Sequence, residues 1–295
     1  MRFTIPISIF ALTFAMLMAG VGSHHAIAAQ APSSVPQFGH VILLLEENHS
    51  YSSVIGSSSM PYFNSLAKQY GLATQYFADT HPSIGNYFEL TAGEIITNND
   101  GYSQTVTADN VVRRLLTAGK TWKSYAESLP KVGYVGGDVY PYVRHHNPFS
   151  FFSDVVNSQN QRDNLVPFSE FASDLKNDQL PDYSFIVPNM QHDAHDGTLA
   201  QADSWLKTNI SPLIASSTFQ KNGLLVIVFD ESFDSDKQHG GGHVAALVIS
   251  PFAKKGYKST TTYQHQSACR LLMQGLGLTS YPGWCENATP MGEFF

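Results

Sequence analysis

Positive charge is scarce in this sequence. Its 295 residues include 17 Lys and Arg against 24 Asp and Glu, which gives a formal net charge of -7 at pH 7. Proteins bind duplex nucleic acid largely through clustered cations. We therefore expect no nucleic-acid partner for this chain.

The sequence also lacks the features that separate domains. It contains no Pro/Ser-rich spacer, no run of like charges and no internal repeat. Length alone would allow nearly two domains, but the missing spacers favour one continuous domain. We place this domain at residues 36–295, a size that allows a large buried core.

An apolar run, Ile5–Val21, lies near the N-terminus and is followed by the small residues Ala26-Ile27-Ala28. This order is typical of a secretory signal peptide with an A-x-A cleavage site, which we place at residues 1–28. The alternative is a retained membrane anchor, because roughly 17 apolar residues is the lower limit for a spanning helix. With cleavage favoured, we expect a periplasmic or secreted protein without stable membrane insertion.

Cysteine is nearly absent. Cys269 and Cys285, both near the C-terminus, allow one disulfide at most. Because exported proteins fold in oxidising compartments, we predict that these two residues pair and that the bond has a structural role. Two unpaired thiols are the alternative.

Apolar runs and helix-like segments alternate along the chain. The runs predict strands, and the segments between them end at glycine in three cases. The predicted strands are Val41–Leu45, Ala73–Phe77, Thr121–Tyr125, Tyr183–Val187, Leu224–Phe229 and Val244–Ile249, and the predicted helices are Pro61–Tyr70, Asn110–Ala118, Ser169–Lys176, Leu199–Ile214 and Gln264–Leu276. This alternation predicts an α/β fold with a mostly parallel sheet and helices on both faces.

Polar side chains follow three of the predicted strands. They are Glu46-Glu47-Asn48-His49, Asn189–Asp196 and Asp230-Glu231. Because ligands gather beyond the carboxyl ends of parallel strands, we expect these groups to lie at one edge of the sheet. Adjacent carboxylates at the rim of an apolar core repel each other unless a cation offsets them. Oxygen ligands of this kind suit a divalent metal ion.

Ser83 follows a proline at the start of a helix-like stretch. Many serines at such positions only cap the helix. A helix N-terminus also attracts anions, so a hydroxyl there is well placed to meet a phosphate group. A bound metal ion would lower the hydroxyl pKa and make Ser83 a nucleophile.

Histidine is abundant, with 12 residues in the chain. Three clusters stand out, at His145-His146, His192–His195 and His239–His243. They predict either a zinc site with nitrogen ligands or groups that bind phosphate oxygens and protonate a leaving group. Spacing alone leaves both roles open.

Together these motifs resemble the bacterial phosphoesterase family that unites acid phosphatases with phosphatidylcholine-type phospholipases C, a branch of the alkaline phosphatase superfamily. The resemblance rests on five blocks in the family's order: E-E-N-H-S-Y at 46–51, H-P-S-I-G-N-Y at 81–87, H-H-N-P-F at 145–149, P-N-M at 188–190 with D-A-H-D-G at 193–197, and F-D-E at 229–231 followed by G-G-G at 240–242. It implies an alkaline-phosphatase-like three-layer sandwich.

The resemblance also implies roles for individual residues. Ser83 is the expected nucleophile, and His146, His195 and Asp196 match family positions near the phosphate or the leaving group. We expect His195 to donate a proton to the leaving group, with His146 as the alternative donor. Asn48, His146, His195 and His265 are the expected substrate contacts, and Glu47, Asn48, Ser83, Asp230 and Glu231 are the expected metal ligands.

Two departures from the family pattern matter. Many relatives carry an aromatic-Asp pair where this chain has Tyr51-Ser52. Alkaline phosphatases proper use a histidine where this chain has Glu231. We therefore expect one divalent metal ion, of open identity, rather than two zinc ions.

The sequence thus predicts an exported, metal-dependent phosphomonoesterase of the acid phosphatase type, which acts through a phosphoserine intermediate. Activity is expected to be best at mildly acidic pH, where imidazole carries a proton. One alternative is a phospholipase C-type phosphodiesterase, which would need a groove for a lipid or choline group. The other is a non-catalytic periplasmic binding protein that keeps the fold without turnover.

Overall fold

A computed structural model describes residues 1–3 and 35–295 of the chain. The predicted signal peptide therefore lies, apart from its first three residues, outside the described residues. Within those residues, no helix is both long enough and apolar enough to cross a membrane.

One eight-stranded sheet lies within residues 35–295. Its strands are β1 His40–Glu46, β2 Gly71–Phe77, β3 Trp122–Ala126, β4 Leu165–Pro167, β5 Tyr183–Val187, β6 Gly223–Phe229, β7 His243–Ile249 and β8 Lys258–Ser259. Their order across the sheet is β4-β3-β5-β1-β6-β7-β2-β8. Strand β7 is antiparallel to both of its neighbours, and every other pair is parallel. The sheet is thus mostly parallel, as predicted.

Helices cover both faces of this sheet. They are α1 Tyr51–Val54, α2 Pro61–Gln69, α3 Ser83–Ala92, α4 Val111–Thr117, α5 Ser153–Val156, α6 Gln159–Arg162, α7 Ser169–Lys176, α8 Leu199–Ala215, α9 Ser217–Asn222 and α10 His265–Gly275. Helices α3 and α10 pack together in one layer, and α2 and α8 pack together in another. Every residue of β5 and β6 is buried, as expected for strands covered on both faces.

The six predicted strands and five predicted helices are all present, with ends shifted by at most two residues. The predicted α/β class, with a mostly parallel sheet and helices on both faces, is therefore confirmed. Strands β4 and β8 were not predicted, because three and two residues are too few to show a periodic pattern.

Strand register decides which polar groups meet. In the parallel pair of β1 and β6, Glu46 lies opposite Phe229. The next residues along the two strands, Glu47 and Asp230, therefore leave the sheet side by side. The Asp230 N–H donates to the Glu46 carbonyl oxygen at 2.9 Å, which extends this pairing beyond the last regular position.

Candidate active site

A cavity of about 440 Å³ opens beyond the ends of β1 and β6. Its walls come from the loops after these strands, from the start of α3 and from the segments around His145 and His195. The lining residues are Asn48, His49, Pro82, Ser83, Asp100, His145, His195, Glu231, Ser232, Phe233 and Asp234. Three of the predicted polar clusters therefore do converge.

Ser83 is the first residue of α3, so its predicted position at a helix start is confirmed. Its Oγ lies 3.2 Å from Glu47 Oε2 and 3.1 Å from Glu231 Oε1, and its single proton can be donated to either. The side chain is nearly buried, yet it lines the cavity. A hydroxyl held in this way by two carboxylates is oriented for chemistry rather than for helix capping.

Three carboxylates lie around Ser83, namely those of Glu47, Asp230 and Glu231. All three are buried, and no lysine or arginine pairs with them in the described part of the chain. Burial, followed by the charges of Glu47 and Glu231, raises the pKa of Asp230 well above its usual value. Burial and the charge of Glu47 raise the pKa of Glu231 to about 8. Histidines lie beside Glu47 and Glu231, whereas the ionised form of Asp230 has no paired cation in the described part of the chain.

The predicted metal ligands fit this arrangement. Asp230 Oδ2 is buried without a hydrogen-bond partner in the described chain, so it is available as a ligand. Across residues 1–3 and 35–295, no three His, Cys, Asp or Glu side chains are already arranged as a metal site. The predicted set adds the Asn48 amide and the Ser83 hydroxyl to three carboxylates, and oxygen donors of this kind suit a hard divalent cation.

Asn48 occupies the turn between β1 and the cavity. Its φ of 53° is left-handed, a conformation that asparagine tolerates better than most residues. Its N–H donates to Asp230 Oδ1 at 3.1 Å, which ties the two strand ends together. The turn brings the Asn48 side chain into the cavity wall beside Ser83.

His146 lies behind Glu47 rather than in the cavity wall. Its Nε2 is 2.9 Å from Glu47 Oε1, and its Nδ1 is 3.3 Å from Asp193 Oδ2. These contacts are close ion pairs rather than linear hydrogen bonds, since neither ring nitrogen has an aligned partner among the described residues. Burial alone would lower the pKa of His146, but the Glu47 and Asp193 carboxylates raise it well above its usual value.

Tyr87 completes the setting of Glu47. Its ring stacks on His146 with 5.0 Å between ring centres and 5° between planes, and its hydroxyl donates to Glu47 Oε1 at 2.9 Å. Although burial opposes ionisation, the charge of His146 holds the pKa of Glu47 down at about 2. Glu47 is thus fixed through Oε1, which leaves Oε2 for Ser83.

His195 reaches the cavity from the loop between β5 and α8. Its Nδ1 lies 2.9 Å from Asp196 Oδ1, and its backbone N–H donates to Asp193 Oδ1 at 2.8 Å. The Nε2 atom has no hydrogen-bond partner in the described chain and is free to meet a ligand. About a third of the side chain is exposed.

Comparison with known proteins identifies the family of this chain. Residues 57–279 match the model of the Phosphoesterase family. The chain belongs to this family. Over 286 residues it is 33% identical to a phosphatidylinositol-3-phosphatase of Mycobacterium tuberculosis, with 96% of this chain and 91% of that protein covered. It is 32% identical to an acid phosphatase of Aspergillus fumigatus, with 81% of this chain and 55% of that protein covered.

Solved structures show the same fold. A protein of the alkaline phosphatase superfamily from Vibrio parahaemolyticus superposes with a TM-score of 0.59 and 15% identity, over 84% of this chain and 68% of that one. A phosphonate monoester hydrolase of Agrobacterium radiobacter gives 0.55 and 13%, over 86% and 78%. The family match and the relatives similar in sequence show that this phosphoesterase is an enzyme that hydrolyses phosphoric esters.

Two further histidines of this phosphoesterase, His81 and His145, flank the site. Sequence alone had given neither of them a role. His81 lies 2.6 Å from Glu231 Oε2 through Nδ1 and 2.9 Å from the Asp236 carbonyl oxygen through Nε2. His145 lines the cavity, and burial together with the charge of His146 lowers its pKa to about 4. The signal that could have identified them from sequence is their position in the H-P-S and H-H-N-P-F blocks.

Other histidines of the phosphoesterase have structural positions. His265 is fully buried below the site, with Nε2 2.6 Å from the Asp230 carbonyl oxygen and Nδ1 3.3 Å from the Tyr76 hydroxyl. Both ring nitrogens are engaged by protein, so the predicted substrate contact does not agree with this position. His243 stacks on Tyr51 with 4.3 Å between ring centres, and His239 packs on Phe77 at 4.2 Å.

The two cysteines are both buried and carry free thiols in the structure. The predicted disulfide is therefore not confirmed. The residues are nevertheless neighbours, since burial and a hydrogen bond with Cys269 raise the pKa of the Cys285 thiol well above its usual value.

Proposed function

We propose that this phosphoesterase hydrolyses phosphomonoesters through a covalent phosphoserine intermediate on Ser83. The observation that supports this most directly is the Ser83 hydroxyl, which lies within hydrogen-bond distance of two buried carboxylates at the base of an open cavity. Two relatives, an acid phosphatase and a phosphatidylinositol-3-phosphatase, favour monoesters over the phospholipase C alternative. The alternative of a non-catalytic binding protein is not supported, because the chain belongs to an enzyme family.

We propose Glu47, Asn48, Ser83, Asp230 and Glu231 as the ligands of one divalent metal ion. When bound, the ion supplies the positive charge that offsets the buried carboxylates and stabilises charge on the phosphate oxygens. Among the protein groups, Glu47 and Glu231 orient Ser83 Oγ and accept its hydrogen bonds. His146 and His81 fix these two carboxylates from behind, so we assign His146 to positioning rather than to proton transfer.

In the proposed reaction, Ser83 Oγ loses its proton along its hydrogen bonds and forms a bond to phosphorus, while the bond from phosphorus to the leaving oxygen breaks. His195 Nε2 donates a proton to that oxygen, with Asp196 holding the opposite ring nitrogen. Water then cleaves the phosphoserine. The Asn48 side chain, in the cavity wall, is the proposed contact to a phosphate oxygen.

We further propose that the chain is exported to the periplasm or the medium and that Cys269 and Cys285 pair there. The apolar N-terminal segment and the buried, neighbouring thiols support this. Mass spectrometry of non-reduced protein from the culture would show both the cleaved N-terminus and the loss of two thiol protons.

The function is tested with Ser83→Ala, because the change removes only the proposed nucleophile. We expect turnover of p-nitrophenyl phosphate to fall by about 10⁴-fold or more while the fold is retained. Ser65→Ala, on the exposed face of α2, is the matched control and should keep normal rates. Addition of a chelator to the wild type tests metal dependence, and near-normal turnover by Ser83→Ala would refute the covalent mechanism.

A further inference from the structure

The cavity wall around Ser83 contains no lysine or arginine. The groups that can carry positive charge in this wall are His49, His145 and His195. Apart from a metal ion, the wall therefore has little fixed positive charge for an anionic ligand.

Two further carboxylates line the cavity in addition to Glu231. Asp234 comes from the loop between β6 and β7, with 94% of its side chain exposed and Oδ1 3.6 Å from His81 Nδ1. Asp100 accepts a hydrogen bond from Ile84 N at 3.2 Å, so it sits over the start of α3. Both residues line the same cavity as Ser83 and Glu231, so they lie close to the reacting groups.

An apolar surface adjoins these carboxylates. The side chain of Phe233 is about half exposed, at 46%, although large apolar side chains are usually more covered. Its ring packs against His49 with 5.1 Å between ring centres, and both rings line the cavity. An alkyl chain or an organic cation can lie on such a face, whereas a carboxylate or a second phosphate gains nothing there.

The loop between β6 and β7, which carries Phe233 and Asp234, is held in place by hydrogen bonds from residues next to Ser83 and Glu231. The Asp236 carbonyl oxygen accepts hydrogen bonds from His81 Nε2 and from Ser232 Oγ, at 2.9 and 3.2 Å. Gly242, at φ of 83°, closes the loop where a Cβ atom would lie 1.9 Å from Ser232 Oγ. The position of Asp234 is thus set by groups that contact Glu231.

We propose that Asp234, together with Asp100 and the Phe233 ring, selects the leaving group: phosphomonoesters of uncharged or cationic alcohols are preferred, and those of anionic alcohols are repelled. The inference rests on the proposed function, because it places the leaving group of the ester beside Asp234, Asp100 and Phe233 in the Ser83 cavity. Since Asp234 is exposed and screened by solvent, its effect on one substrate is about two- to five-fold at low salt.

The test compares Asp234→Asn with wild type on three alkyl phosphates: phosphoethanolamine, glycerol phosphate and 3-phosphoglycerate, whose leaving alcohols are cationic, neutral and anionic. We expect the ratio of kcat/KM for 3-phosphoglycerate to that for phosphoethanolamine to rise by about five- to twenty-fold in the variant. The shift should shrink when salt is raised from about 0.01 M to about 1 M, because screening removes interactions between exposed charges. Asp163→Asn, an exposed carboxylate outside the cavity, is the control and should leave the ratio unchanged.

An unchanged ratio in Asp234→Asn, or a change that salt does not reduce, would overturn the inference and point to size or shape as the basis of selection. Hydrolysis of p-nitrophenyl phosphate, measured in parallel, separates this outcome from failure of the proposed function. If the wild type hydrolyses that ester but the ratio does not move, only the leaving-group inference fails. If the wild type hydrolyses none of the esters, the proposed function fails.

Discussion

Glu89 and Asp79 form an acidic pair at helix α3, in which Glu89 is buried and Asp79 is half-buried. Glu89 lies on α3 and is 2% exposed, and Asp79 follows β2. The Gln266 amide contacts both carboxyl groups, at 2.6 Å for Asp79 Oδ1. Burial and the charge of Asp79 raise the pKa of Glu89 to about 8, and burial raises the pKa of Asp79 to about 7.

This arrangement predicts a protein that loses stability as pH rises. The folded state favours protonated Glu89, whereas the unfolded chain ionises it near its ordinary value of 4.5. Its contribution to the free energy of unfolding is therefore fully present below that value and is lost as pH rises through about 8. At about 1.4 kcal/mol for each pH unit, the loss between pH 5 and pH 8.5 is about 4 kcal/mol.

Glu89→Gln isolates this effect, because the amide keeps the shape of the protonated acid and cannot ionise. We expect the free energy of unfolding of the variant to fall by about 2 to 4 kcal/mol less than that of wild type between pH 5 and pH 8.5. Urea unfolding followed by tryptophan fluorescence at both pH values measures the difference. Glu170→Gln, on the exposed surface of α7, is the control. Parallel pH dependence in Glu89→Gln and wild type would refute the reasoning.

The remaining predictions concern the metal ligands and the proton donor. Asp230→Asn is expected to lower metal content and turnover together, as measured by elemental analysis and kinetics; unchanged metal content would remove Asp230 from the ligand set. His195→Asn is expected to slow alkyl esters by about 10²-fold and a nitrophenyl ester much less, since a good leaving group departs without a proton. An equal loss on esters of every leaving-group pKa would show that His195 is not the general acid.

The continuous apolar runs were enough to predict the central strands, because a strand covered on both faces must be apolar at nearly every position. They also predicted where Glu47 and Asp230 emerge, since parallel strands end at one edge of the sheet. The start of α3 at Ser83 follows from local sequence alone. These features depend on short-range pattern, which a single sequence contains.

Strand direction and the contacts between residues far apart in the sequence could be learned only from the tertiary structure. Nothing in the Val244–Ile249 run shows that β7 is antiparallel to β6 and β2 while the other pairs of the sheet are parallel, because the hydrogen-bonding partner decides strand direction. The contact of His81 with Glu231 joins residues 150 positions apart. No periodicity records such a pairing, since it arises only when two strand ends are brought together.

His145 and His146 show the difference most clearly. The two residues are adjacent, and sequence gives them the same chemistry. In the short 3-10 helix Arg144–His146, their rings lie 4.5 Å apart at an angle of 85°, so they point into different surroundings. One faces the cavity and the other is buried against Glu47. Sequence determined that imidazoles would be present at this edge, and packing against β1 and α3 decided which one reaches the cavity and which one holds a carboxylate in place.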